Sequence, residues 1–175
     1  MTLHAFVDES KKDGLVMVAA LLASGDRSSG RSVMRRLRLP GQSRIHLYKE
    51  RRGRRGTIVS AICAINVVVD VYDASALREE RGARAVCLRQ IVEDLAAVGA
   101  ESLFIEQDDS LVGSDRAVLY DAVRKVAVRE PLRYAHRRPN EEPLLWIADA
   151  AAWCWTHGPE WRRRIQPVVR SIWRP

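Results

Sequence analysis

The sequence predicts an α/β fold: a mixed five-stranded sheet flanked by helices, with a basic helical insertion between the second and third strands. Three observations predict it. Two strand-like runs near the start, Leu3–Asp8 and Leu15–Leu22, are separated by Lys11-Lys12-Asp13-Gly14, in which Asp-Gly is a strong hairpin signal. From Asn66 onward, strand patterns alternate with helical ones, as the crossovers of a parallel sheet require. Between these regions lies the stretch 27–56, with eleven Arg or Lys residues against one acid, Glu50.

The second strand is apolar throughout, which fits burial on both faces. Val33, Met34 and Leu37 fall at helical spacing, so 28–38 reads as a short helix stopped by Pro40-Gly41. Arg44-Ile45-His46-Leu47-Tyr48 alternates polar and apolar residues and reads as a short extended piece. Ile58, Ile62 and Ile65 mark a helix over about 57–65. Asn66–Tyr72 is a β-branched strand. Ala76–Val98 is a long helix with its apolar stripe at Leu88, Ile91 and Leu95, ended by Gly99. Ser102–Glu106 is a strand, 115–129 a helix, Leu132–His136 a short strand, and Leu144–Trp155 an apolar helix broken by Gly158-Pro159. A basic tail containing Trp161 and Trp173 follows.

At 175 residues, 47% of them hydrophobic, the chain is expected to form a single domain, 1–175, with 27–65 as a basic insertion. No leader-like pattern precedes the first strand, and no apolar run approaches the ~20 residues of a membrane span, so a cytoplasmic protein without a membrane segment is expected. Cys63, Cys87 and Cys154 lie far apart in apolar helical patterns, with no zinc spacing, and read as packing residues. The net charge of +7 suggests a polyanionic partner. Arg35, Arg36, Arg38, Arg44, Lys49, Arg51, Arg52, Arg54 and Arg55 are the candidates to bind nucleic acid, RNA or DNA, through its phosphates. Tyr48 is the sole aromatic among them, which favours backbone contacts over base stacking.

Three acids stand out. Asp8 ends the run Leu3-His4-Ala5-Phe6-Val7, Glu106 ends Ser102-Leu103-Phe104-Ile105, and Asp149 is a lone carboxylate inside an apolar helix. Carboxylates so placed are costly unless something pairs with them. A divalent metal is one such partner, and carboxylates suit Mg²⁺ or Mn²⁺ better than His or Cys do. The ordinary alternatives are a solvated hairpin shoulder for Asp8, a solvated loop for Glu106 beside Asp108 and Asp109, and an arginine partner for Asp149.

Two segments carry a resemblance. Phe6-Val7-Asp8-Glu9-Ser10 resembles the opening, and Leu145-Trp146-Ile147-Ala148-Asp149-Ala150-Ala151-Ala152 the closing helix, of the family called domain of unknown function 3800. Arg44-Ile45-His46-Leu47 with Glu50 resembles a His-containing segment between them. Trp146 departs from that pattern, standing where the family often has Gln. The family is regarded as ribonuclease H-like, and the element order is similar to that fold's. The resemblance implies that the first and fourth strands are neighbours, that the last helix packs at the same end, and that the chain descends from metal-dependent nucleases. In these the acids hold two Mg²⁺ or Mn²⁺ ions, Asp8 bridging them, Glu106 facing it and Asp149 reaching in from the helix.

A fourth ligand would come from Glu9, Glu50, Asp108 or Asp115. Glu9 follows Asp8 and should point to the other side of the strand. Glu50 is either an ion-pair partner of nearby arginines or an acid brought in by the insertion. His46 could protonate a leaving group or contact phosphate, or simply pack. Asp115 reads more naturally as a helix N-cap. A non-catalytic nucleic-acid-binding module and an interaction subunit of the same fold are the competing readings. RNA or DNA as substrate, endo- or exonucleolytic action, and oligomeric state are not written in the sequence.

Overall fold

The computed structural model describes residues 1–126 and 130–175. Along the chain run β1 (Leu3–Ser10), β2 (Val16–Ala23), α1 (Arg27–Leu37), α2 (Arg52–Cys63), β3 (Val68–Asp73), α3 (Glu80–Ala97), β4 (Ala100–Glu106), α4 (Val112–Lys125), β5 (Arg133–Arg137), α5 (Leu145–Thr156), α6 (Pro159–Ile165) and β6 (Val169–Trp173). The predicted helix over 115–129 ends, within the described residues, at Lys125; 127–129 lie outside them.

The strands form one mixed sheet in the order β5-β4-β1-β2-β3-β6. β1, β2 and β3 are antiparallel neighbours, while β4 runs parallel to β1, β5 to β4 and β6 to β3. The sheet therefore has six strands, where the sequence suggests five. The extra one, β6, comes from the stretch expected to be a basic tail. Its cause lies in β3, where Asp70 is buried at 1% exposure. A carboxylate there needs partners, and β6 supplies the Arg170 guanidinium and the Ser171 hydroxyl, which donates at 2.7 Å.

Side chains alternate across the sheet. Phe6, Val16, Val18, Ala20, Leu22, Val69 and Val71 face one core layer, covered by α5 with α1, α2 and α6. Ala5, Val7, Met17, Ala19, Leu21, Leu103 and Ile105 face the other, covered by α3 and α4. Both layers are apolar, as the unbroken hydrophobic run of β2 predicts. The β1–β2 turn places Asp13 and Gly14 at positive φ, and a Cβ on Gly14 would lie 2.6 Å from the Ser75 carbonyl oxygen. Glycine is thus required there both by conformation and by the close approach of the neighbouring loop.

The helix α5 crosses the middle of the sheet over β1 and β2, and every residue from Leu145 to Trp155 is buried. A helix apolar on all sides must lie inside the molecule. Trp146, 1% exposed, donates its indole N–H to the Pro139 carbonyl, so the position carries a packing and anchoring role. Among the described residues, no helix is long and apolar enough to cross a membrane.

The segment 44–48 forms no strand. His46 is extended and Leu47–Lys49 make a single 3-10 turn. The alternation is real, since Ile45 and Leu47 are fully buried while Arg44 and His46 are half-buried. Its Leu47 N–H finds a carboxylate instead of a neighbouring strand, as described next.

Candidate acidic site

Strand alternation sorts the acids before any contact is considered. Asp8 shares the face of Phe6, and Glu106 shares the face of Phe104, on adjacent parallel strands whose register pairs Val7 with Ile105. Both lie at the carboxyl ends of their strands, where open α/β sheets bind ligands. Asp149 enters the same place from α5. The three acids that the sequence singles out are thus brought together.

The surroundings of the three differ. Asp8 is buried, 7% exposed, and its Oδ1 accepts the Glu9 N–H at 2.7 Å. Among the described residues no cationic side chain pairs with it. Burial, first, then the charges of Glu106, Asp149 and Glu9, and a hydrogen bond with Glu106, push its carboxyl well above the ordinary aspartate range. Glu106 is held by the two terminal nitrogens of Arg44, at 2.9 and 3.2 Å. Arg44 also stands 3.7 Å from Asp149. Asp149 accepts from the buried Leu47 N–H at 2.8 Å and lies 2.8 Å from His46 Nδ1. The insertion is therefore docked on the acids through its segment 44–47.

Each candidate for a fourth acid already has partners of its own. Glu9 faces the opposite layer, where the Arg84 guanidinium and Lys11 hold it. Arg84 in turn grips Asp115 at 2.7 and 2.9 Å, and His136 reaches Asp115 at 3.1 Å. Asp115 is thus a buried member of α4 and not an N-cap, and its carboxyl is kept low by Arg84 and His136 despite its burial. Asp108 accepts from Ser110 in an exposed turn. Glu50 is buried inside the insertion, where Arg54 donates at 3.0 Å and Gln42 at 3.0 Å. The side chain of His46 keeps 37% exposure and opens on a groove of about 320 Å³. Ser10, Lys12, Tyr48, Asp149, Trp153 and His157 also line this groove, with His157 stacked on Trp153 at 4.0 Å.

The basic insertion splits into two sets. Arg31 pairs with Glu142, Arg44 with Glu106, Arg52 with Glu160 and Arg54 with Glu50. Arg55 caps the Leu47 and Tyr48 carbonyls, at 2.9 and 2.8 Å, and lies over the Trp153 ring. Arg35, Arg36, Arg38, Lys49 and Arg51 are exposed, with no acidic partner among the described residues. The concentration of charge is thus partly paired, with five exposed cations left without an acid among the described residues.

Sequence reasoning misses Arg84 and His157. Arg84 has a signal, because it falls on the stripe continued by Leu88, Ile91 and Leu95; a cation on a buried stripe announces a buried acid. His157, just past α5, has none. The thiols are free, and burial pushes those of Cys87 and Cys154 up to about 12, which removes them as nucleophiles at neutral pH.

Does this acid set fit a divalent cation? Among the described residues, no group of three His, Cys, Asp or Glu side chains is closed to metal-binding distance. The donor chemistry is nevertheless that of a hard cation: carboxylate oxygens, mutually repelling, one buried without a countercharge. Arg44 stands against two of the three acids. The donor types would suit such an ion, while Arg44 already occupies two of the three acids.

No protein-family model matches the sequence, and no curated protein matches it. Comparison with solved structures does give matches. One is a chain of the PCNA:RNase HII complex from Archaeoglobus fulgidus, at TM-score 0.53 and 17% identity over 94% of this chain and 75% of that one. Another is the ribonuclease H2 from Pyrococcus horikoshii OT3, at TM-score 0.57 and 14% identity over 87% and 71%. The fold is ribonuclease H-like; at these identities the likeness is one of fold.

Proposed function

We propose that this chain is a divalent-metal-dependent nuclease that hydrolyses phosphodiester bonds of RNA or DNA, and that it belongs to the domain of unknown function 3800 family. The observation that carries the reading is Asp8: a buried carboxylate without a countercharge among the described residues, near Glu106 on the adjacent parallel strand and Asp149 on α5. A structural carboxylate would have been given a partner, as Asp70 and Asp115 are. The fold shared with a chain of a PCNA:RNase HII complex and with a ribonuclease H2 is compatible with this chemistry.

Asp8 and Glu106, with Asp149 beside them, would hold Mg²⁺ or Mn²⁺. Such an ion supplies an activated water and charge stabilisation at the leaving oxygen. Around it the chain's own groups have separable roles. Asp149 orients His46 through Nδ1, which leaves Nε2 to move a proton or contact a phosphate oxygen in the groove. The exposed Arg35, Arg36, Arg38, Lys49 and Arg51 grip the strand away from the reacting bond. Glu50 fixes Arg54 and the shape of the insertion. The three free thiols suit a reducing, cytoplasmic setting.

The test is cleavage of labelled RNA, DNA and hybrid substrates in Mg²⁺ or Mn²⁺. Asp8→Asn and Asp149→Asn should each lose more than the roughly 10–100-fold that removing an outer partner of a metal ligand costs, with unchanged circular dichroism. Undiminished cleavage by both variants would sink the assignment.

One observation favours a second reading, a nucleic-acid-binding module without catalysis. Glu106 and Asp149 already have partners in Arg44, His46 and the Leu47 N–H, so they serve to dock the insertion. That reading expects salt-dependent binding with no cleavage in either metal.

A further inference from the structure

The docking of the insertion raises a question that the acids alone do not. Arg44 is delivered by an irregular segment whose neighbours Ile45 and Leu47 are sunk in the core. Its guanidinium makes two parallel hydrogen bonds to Glu106 and lies within ion-pair distance of Asp149. It neutralises two of the three acids and leaves the third, Asp8, without a cation. Guanidinium and divalent metal compete for the same carboxylate lone pairs, since Glu106 cannot give both oxygens to Arg44 and also bind an ion freely.

We propose that Arg44 is a resident cation of the acid site. It holds Glu106 and Asp149 when no metal is bound, is displaced from Glu106 as Mg²⁺ or Mn²⁺ enters, and is thereby freed to contact the phosphate of the bound strand. The inference rests on the nuclease reading and adds to it a substrate-contacting role for one residue. Three features support the exchange. The side chain of Arg44 is 19% exposed, so it has a path out of the site. The anchors of its segment, the Leu47 N–H and His46 on Asp149 and the Arg55 caps on Leu47 and Tyr48, do not involve the Arg44 side chain, so the loop stays docked when Arg44 swings. A freed guanidinium is planar and always charged, matched to a phosphate by the same two-pronged geometry it uses on Glu106.

The exchange predicts opposite signs for two measurements on one variant. Mn²⁺ affinity of the full-length protein, read by electron paramagnetic resonance without substrate, should rise about tenfold in Arg44→Gln, because a competitor for Glu106 is gone. Turnover at saturating Mn²⁺ should nevertheless fall at least tenfold, because the phosphate contact is gone as well. Arg44→Lys, a point charge without the fork, should recover part of the turnover. Circular dichroism of both variants reports folding, and the lysine variant stands in if the glutamine variant unfolds.

Unchanged or weaker Mn²⁺ affinity in Arg44→Gln overturns the proposal. So does tighter Mn²⁺ with undiminished turnover, which would make Arg44 a brake only. An Asp8→Asn control separates the two levels of argument. If wild-type protein binds Mn²⁺ and Asp8→Asn does not, the acid site stands whatever Arg44 does. If neither wild type nor Arg44→Gln binds Mn²⁺, the nuclease reading fails and takes this inference with it.

Discussion

Asp8 is the residue on which the proposed chemistry turns, and its environment makes a prediction independent of any substrate. Burial and three neighbouring carboxylates raise its pKa in the fold above that of an unfolded aspartate. A carboxyl with a raised folded pKa is bound more favourably in its protonated form. The stability it supports is fully present below the unfolded value near 4 and is lost as pH rises through the folded value. The native protein therefore carries strain at Asp8 at neutral pH when no metal is present. Asp8→Asn, neutral at all pH, should melt at a higher temperature than wild type at pH 7 in a chelator, with the gap closing as pH is lowered toward 4. A variant that melts lower at pH 7 would mark Asp8 as a stabilising structural residue. Asp8, Glu106 and Asp149 are legible in the sequence because a carboxylate at the end of, or inside, an apolar run has no cheap place to go. Arg44 as their partner is not legible, since eleven basic residues compete for the role and only tertiary packing selects one.

At the scale of elements, β1 carries the site on one face and a buried ion cluster on the other. Asp8 faces α5, while Glu9 on the other face meets Arg84, which in turn holds Asp115 beside His136. The cluster ties the end of β1 to both helices and so sets where Asp8 stands. Removing the arginine leaves Asp115, 2% exposed, with His136 alone and Glu9 with Lys11 alone. Arg84→Met should cost about 3–5 kcal/mol in urea denaturation; a loss under about 1 kcal/mol would show that the cluster adds little. The helices and most strands follow from periodicity, and β1, β2, α3 and α5 appear close to where their apolar patterns end. The exceptions have physical causes. β6 reads as a polar tail because its hydrogen-bonding partner, the buried Asp70, is about a hundred residues away in sequence. The segment 44–48 alternates like a strand because its apolar residues sink into the core, yet a carboxylate on α5 takes the N–H that a neighbouring strand would have taken. α2 begins at Arg52, well before the isoleucine stripe, because Arg54 and Arg55 find acceptors in the insertion itself.

At the scale of the molecule, the sheet order places β4 beside the central β1, with α5 laid across one face and the insertion closing over their carboxyl ends. The antiparallel β1–β3 unit provides the platform, and the parallel β4 and β5 bring the second acid to it. The cations of the insertion include two sets: those paired with acids, and an exposed, unpaired set of Arg35, Arg36, Arg38, Lys49 and Arg51 among the described residues. This arrangement puts five exposed cations on the same insertion that docks on the acids, a placement that composition alone does not locate. The central claim is that the acids form a divalent-metal site. The most direct measurement is anomalous scattering from crystals of the full chain grown with Mn²⁺. The claim predicts an anomalous peak liganded by Asp8 and Glu106, beside Asp149, with Glu106 released from Arg44. Crystals saturated with Mn²⁺ that show no peak at these carboxylates, and Arg44 still seated on Glu106, would contradict it.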